Sequence, residues 1–288
     1  MRTIDSDARL SAPGRFVTLS DGVTHYQLAS AENDAVAWPP AVLIHGFSVP
    51  SFIWDPTFEG LAAVGVPVLR YDLLGRGYSD RPRMRYDIDL FDRQLVDLVA
   101  ALDLPTPVDV IGLSMGGAIA VGFTDRHPAL VRRLALIDPA GFPMPGSLAT
   151  SVLRLPVLGE LLLATAGKRV FVSGLRRDFQ MPALLPDLTR KYRVQMQYAG
   201  FLRSLLSTLR YGPIQTMAPA YARVGRQPRP IALIWGTEDR TVPFKMSERV
   251  RAALPNAQFH PIEGCGHVPH LERPELVNRI LIDFLAAD

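Results

Sequence analysis

The sequence predicts an α/β protein: a mostly parallel, doubly wound sheet opened by an antiparallel hairpin and interrupted by a helical insertion. Three observations carry this. Short apolar runs alternate with segments of helical period over most of the 288 residues. Several runs are apolar on both faces, as central parallel strands must be when helices cover both sides. Strands of this kind are absent from about Gly141 to Gly212, and the alternation resumes at Ile231.

The elements follow in order. "RFVTLS" and "VTHYQLAS" meet at Asp21-Gly22, a hairpin turn signal. "AVLIHG" (41–46), "VPVLRYD" (66–72), "VDVIGLS" (108–114), "RRLALID" (132–138), "IALIWG" (231–236) and "AQFHPIE" (257–263) read as further strands. In "DIDLFDRQLVDLVAALDL", Ile88, Phe91, Leu95, Leu98, Val99 and Leu102 share one helical stripe. "MGGAIAVGFTDRHP", "FKMSERVRAAL" and "PELVNRILIDFL" read as helices too. An opening hairpin followed by βα units implies the doubly wound sheet. Residues 1–140 and 213–288 are expected to form its core. Residues 141–212, with helical stretches around 147–175 and 186–210, are expected to form a cap over the sheet.

Composition bounds the function. A hydrophobic content of 48% suits one large core with an insertion. The formal net charge is only +3, and the arginines are scattered, so nucleic-acid binding has little support. The single cysteine, Cys265, excludes an intrachain disulfide. It reads better as a small residue filling a tight loop than as a redox switch. The start "MRTIDSDARL" lacks the apolar stretch of a signal peptide, and "LRLPVLGELLLATAG" is too short and interrupted to span a bilayer. A soluble cytoplasmic protein, monomeric or homodimeric, is expected.

Gly112-Leu113-Ser114-Met115-Gly116 places one hydroxyl between two glycines, directly after a strand and at the start of a helix. That is the context of a nucleophile elbow. The turn is tight enough to strain the serine backbone, and flanking side chains would collide with it. The helix start offers the Met115 N–H to a developing oxyanion. A serine needs a base. Of six histidines, His267 lies in a glycine-flanked loop after the last strand, at the carboxyl edge that Ser114 occupies. His270 is its neighbour. The histidine needs an orienting acid: Asp239 follows "IALIWG", with Asp138 after "RRLALI" as rival and Glu238 and Asp55 as lesser alternatives. In "HGFS" (45–48) the Phe47 N–H is the second oxyanion donor. The chain lacks an H-E-x-x-H motif or a cysteine cluster, so no metal is expected.

Together HGFS, YDLLGRGYSD, GLSMGG, WGTEDRTVP and EGCGHVPHLERPE resemble the α/β-hydrolase superfamily, from about Arg15 to the end. The resemblance implies the α/β-hydrolase fold, selects Asp239 as the acid and requires no cofactor. It also makes DLLGRGYSDRP (72–82) a bracing loop. Serine at the elbow disfavours haloalkane dehalogenases and most epoxide hydrolases, which resemble this chain but carry aspartate. Carboxylesterases, monoacylglycerol-lipase-like enzymes, thioesterases and the C–C hydrolases of aromatic ring cleavage are what remain. Val268 after the histidine, and a "HGFSVPS" loop without a G-x-G-P-G pattern, turn the expectation towards a small-molecule ester substrate cleaved through an acyl-enzyme. C–C hydrolysis of the meta-cleavage type is the alternative. A ligand receptor on a hydrolase fold is the alternative of another class; cofactor-free oxygenases and perhydrolases share the same triad. Trp54, Phe142, Met196 and Phe201 are expected to line the substrate pocket.

Overall fold

The structure is a computed structural model that describes residue 4 and residues 6–29, 38–144, 152–214 and 216–287. Eight strands form one sheet: β1 (Arg15–Leu19), β2 (Gly22–Ala29), β3 (Ala41–Ile44), β4 (Val68–Tyr71), β5 (Val108–Leu113), β6 (Val131–Ile137), β7 (Ile231–Gly236) and β8 (Gln258–Ile262). Their spatial order is β1-β2-β4-β3-β5-β6-β7-β8. The pairs β1/β2 and β2/β4 are antiparallel; every pair from β4/β3 to β7/β8 is parallel. The expected strands and hairpin are all present.

The central strands are buried on both faces, and their residues divide between two cores with the period of two that a pleat imposes. Val42 and Ile44 of β3 face one core; Ala41 and Leu43 face the other. Ile231, Leu233 and Trp235 of β7 alternate in the same way with Ala232 and Ile234. Helices α1 (Asp55–Ala63), α2 (Ile88–Ala101), α3 (Met115–Arg126), and further along the chain Met246–Ala253 and Pro274–Ala286, cover the sheet. Leu90, Phe91, Leu95 and Leu98 of α2 close the first core, and Leu61 of α1 with Val277, Leu281 and Phe284 the second. The Asp87 carboxylate caps α2 by accepting from the Leu90 N–H at 3.0 Å. The α1 helix was not read from sequence: "DPTFEGLAA" has a short, weak stripe behind its proline.

Between β6 and β7 the longer elements are α4 (Leu158–Asp178), α5 (Leu185–Gln195) and α6 (Phe201–Tyr211), followed by α7 (Ala218–Val224). The ends of this helical segment are stitched together at the sheet. The Gly141 N–H donates to the Ile214 carbonyl at 2.9 Å, and the Met217 N–H donates to the Gly141 carbonyl at 2.8 Å. Gly141 has φ +129, and a Cβ there would lie 2.6 Å from the Tyr221 ring, so glycine is required. Residues 145–151, part of the first expected cap helix, lie outside the described residues. The apolar character of α4 is only partly spent on burial. Leu163 and Leu175 are buried, whereas Leu161 and Val170 are exposed.

Candidate active site

Parallel pairing aligns the carboxyl ends of six strands, and the ladder ends there. Ile44 sits opposite Gly112, Leu113 opposite Ile137, Ile137 opposite Ile234, and Gly236 opposite Ile262. The next residues of each strand therefore emerge on one edge. That edge gathers His45–Ser48, Ser114, Asp138, Asp239 and His267 from segments over 200 residues apart.

Ser114 occupies φ 55, ψ −118, a strained region for a residue with a side chain. Backbone bonds hold it there. Its N–H donates to the Ile137 carbonyl at 2.9 Å, and its own carbonyl accepts from Gly117 and Ala140 N–H, each at 2.9 Å. The flanking glycines act for different reasons. A Cβ on Gly112 would meet the Gly116 carbonyl at 2.4 Å, within the turn itself. A Cβ on Gly116 would meet the Ile44 carbonyl at 2.1 Å, where α3 crosses the end of β3. Met115 opens α3, so its N–H has no acceptor within the helix.

His267 Nδ1 lies 2.7 Å from Asp239 Oδ2. The other oxygen, Asp239 Oδ1, accepts from Thr241 N–H at 2.7 Å and Val242 N–H at 3.0 Å. Asp239 thus has one oxygen committed to its own loop and one to the imidazole. The ring then carries its proton on Nδ1 and leaves Nε2 as the basic nitrogen. The loop before His267 is fixed by Glu272, whose carboxylate accepts from the Gly266 N–H at 3.2 Å. Glycine at 236 lets that loop close in: a Cβ there would lie 2.0 Å from the Gly266 carbonyl. Cys265 is buried, and burial pushes its thiol up to about 11, which fits the filler reading.

The HGFS loop is locked from two sides. His45 is fully buried, its Nδ1–H donates to the Gly46 carbonyl at 2.9 Å, and its Nε2 accepts from the Leu73 N–H at 2.9 Å. Arg76 of the DLLGRGYS loop is also fully buried. It donates through Nε to the Phe47 carbonyl at 2.9 Å and through a terminal nitrogen to Thr208 Oγ1 of α6 at 2.8 Å. The bracing role expected of residues 72–82 therefore has an atomic form: Arg76 ties the Phe47 peptide to the helical segment. Asp72 accepts from Ser51 and Tyr78 N–H and pairs with His25 Nδ1 at 2.8 Å. Burial acts against its ionised form, but the charge and hydrogen bond of His25 outweigh it and hold the carboxyl below the usual range. For His25, burial pulls down, and the Asp72 charge and hydrogen bond with the Pro13 carbonyl raise it overall.

His45 and His270 give the fold an acid limit. Burial lowers His45 to about 4 and His270, whose Nε2–H donates to the Ile53 carbonyl, to about 3. A histidine depressed in the fold takes up its proton only in the unfolded chain. Its contribution is present above the unfolded value of 6.5 and is lost as pH falls towards the folded value. For His45 alone this is on the order of 3 kcal/mol. The urea midpoint is expected to fall steadily from pH 7 to pH 4.5; a flat midpoint across that range would show both rings protonated without cost.

A cavity of about 110 Å³ opens between these elements, with Ser114, His267 and Phe47 on its wall beside Val49, Ile53, Phe179 and Val268. The four residues expected to line it do not. Trp54 is fully buried behind it, its ring 4.5 Å from that of His270. Phe142 packs against Tyr221 at 5.0 Å, in the core on the other face of the sheet. Met196 is buried in the second core, where Phe201 packs on Tyr192 at 5.8 Å. Val49 and Ile53 lay within reach of sequence reasoning, being close to HGFS. Phe179 did not, because only the return of the chain after α4 brings it over Ser114.

A family model described as the alpha/beta hydrolase family matches residues 41–280. The chain is 32% identical over 254 residues to an uncharacterised protein of Mycobacterium tuberculosis, covering 82% of this chain and 72% of that one. It is 30% identical over 282 residues to a 2-hydroxy-6-oxononadienedioate/2-hydroxy-6-oxononatrienedioate hydrolase of Cupriavidus pinatubonensis, covering 94% of each. Among solved structures, the enol-lactonase of Burkholderia xenovorans LB400 superposes with a TM-score of 0.80 at 22% identity, over 95% of this chain and 100% of that one. With the sheet order, the elbow and the match over residues 41–280 in hand, the chain belongs to the α/β-hydrolase family.

Proposed function

We propose that this protein hydrolyses a carbon–carbon bond in vinylogous 1,5-diketones, with Ser114 as nucleophile, His267 as base and Asp239 as its orienting acid. The observation that carries this reading is the 30% identity to a hydrolase named for such substrates, sustained over 94% of both chains. It displaces the ester reading, which rested on Val268 and the HGFSVPS loop: a likeness of the whole chain outweighs two loop positions.

Breaking a C–C bond requires a stabilised carbon leaving group. In a vinylogous 1,5-diketone the released electron pair spreads through the double bond onto the far carbonyl oxygen. Ser114 Oγ forms a bond to the near carbonyl carbon while His267 Nε2 takes its proton. The N–H groups of Phe47 and Met115 hold the oxyanion. Its collapse expels the carbon fragment as a dienolate, which takes up the proton from His267. Water, deprotonated in turn by His267, releases the acid from Ser114. The sum is one water consumed for one bond broken.

Ester hydrolysis is the second reading, and one observation favours it: the described residues that line the cavity include no lysine or arginine to pair with a substrate carboxylate. One panel separates the readings: a vinylogous 1,5-diketone, p-nitrophenyl esters of increasing chain length and a thioester. The diketone is expected to have a kcat/KM about tenfold or more above any ester. Esters turned over with the diketone untouched would establish the second reading. A burst without steady turnover, together with a ligand-dependent rise in Tm, would instead indicate a receptor.

A further inference from the structure

Asp138 is a second carboxyl at the same edge, and the mechanism above makes no use of it. It directly follows β6, fully buried, with φ 44. A left-handed backbone at a residue with a side chain is strained and persists only where the surroundings enforce it. Here Asp138 N–H donates to the Ile234 carbonyl at 3.0 Å and Oδ1 accepts from the Gly236 N–H at 2.9 Å. The carboxyl is thereby clamped to the end of β7, just before the Asp239 turn. Its other oxygen, Oδ2, is buried without a hydrogen-bond partner when both aspartates are counted as acceptors. Asp138, Asp239 and His267 each place a ligand atom within 4.8 Å of the others.

Two buried carboxyls this close strongly oppose each other's ionisation. Asp239 is the one whose oxygens are all engaged by donors: two backbone N–H groups and the imidazole. Asp138 has a single N–H donor. The proton therefore belongs on Asp138, and an O–H at Oδ2 gives that orphaned oxygen its partner. Resting on the assignment of Asp239 as the acid, we propose that Asp138 is a positioning residue. It stays protonated at neutral pH and donates through Oδ2–H to the Asp239 carboxylate, so the pair shares one proton and one negative charge. One charge is what the imidazolium of the transition state needs. Two would raise the basicity of His267 and favour its protonation before it could accept from Ser114.

The surroundings agree. Burial first, and then the Asp239 charge, lift the Asp138 carboxyl well above the usual range; the His267 charge and the Gly236 N–H oppose this without reversing it. Among the described residues, the other titratable or charged groups on this side include the Cys265 thiol, kept neutral by burial, the Glu272 carboxyl, raised by burial and facing Asp239, the His270 imidazole, lowered by burial and facing His267, and the Arg273 guanidinium, which acts on both Cys265 and Glu272.

The test follows the rate of inactivation by a serine-directed phosphonate against pH, which reports the basic form of His267 whatever the natural substrate is. Asp138→Asn keeps a neutral donor towards Asp239 and an acceptor for Gly236. Its acid limb is expected within about 0.3 units of wild type. Asp138→Ala removes the donor and is expected to move that limb up by about one unit and to slow inactivation about tenfold relative to Asp138→Asn. A downward move of about one unit in Asp138→Asn would mean that an ionised carboxylate had been lost, and would overturn the proposal. Infrared difference spectra of wild type against Asp138→Asn at pH 7 are expected to show the carbonyl stretch of one protonated carboxylic acid; its absence overturns the proposal even where Asp138→Ala fails to fold. Asp239→Asn run alongside keeps the two ideas apart. If it leaves the inactivation rate unchanged, the assignment of Asp239 falls, and with it the basis of this one.

Discussion

Ser114→Ala is expected to lower kcat for the cleaved substrate by about 10⁴-fold or more, with the unfolding midpoint unchanged. The size follows from the role. With Oγ gone no acyl-enzyme forms, and the residual rate comes from the oxyanion donors and binding alone. The unchanged midpoint follows from the way the turn is held. Its bonds to Ile137, Gly117 and Ala140 are all backbone bonds, and alanine tolerates φ 55 about as poorly as serine. The same serine is expected to be the one site labelled by a phosphonate in wild type. A labelled peptide without Ser114, or turnover that survives the substitution, would remove it as the nucleophile.

Asp239→Asn is expected to cost about 10³–10⁴-fold in kcat, more than loss of a charge alone would suggest. The Thr241 and Val242 N–H groups both point at Oδ1. An asparagine must therefore place its carbonyl oxygen there and turn its NH₂ towards His267 Nδ1. Facing a donor, Nδ1 becomes the acceptor, and the proton moves to Nε2, where the base is needed. The imidazole is held in the wrong tautomer. A steady-state assay of Asp239→Asn beside Asp138→Asn checks the assignment: if the Asp138 variant shows the larger loss, the carboxylate after β6 is the orienting acid.

Much of this architecture was legible in the chain. The two-faced apolar runs at 41–46, 108–114 and 231–236 announce central parallel strands because only a strand covered on both sides is apolar at every position. The elbow was legible because its glycines answer a steric demand that few other residues meet, and the structure divides that demand between the turn itself and the end of β3. The pocket was not legible. Trp54, Phe142, Met196 and Phe201 are large and apolar, but so is any core residue, and all four pack in cores. Sequence spacing does not say which side of a packed layer faces a cavity.

The sequence by itself determined the fold class, the edge of the sheet where chemistry collects, and the candidate nucleophile and base, with two acids at that edge between which only the family resemblance chose. These depend on local rules: strand periodicity, turn sterics and the fact that parallel strands share one carboxyl end. The tertiary structure alone decided which carboxyl touches His267, that Arg76 braces the Phe47 peptide, and that Asp138 lies beside the pair with an unpartnered oxygen. Those facts are set by distances of a few ångströms between segments separated by dozens of residues. Such distances come from the register of β6 against β7, the closure of the loop over Gly236 and, for Arg76, the pairing of β3 with β4, and a linear pattern carries none of them.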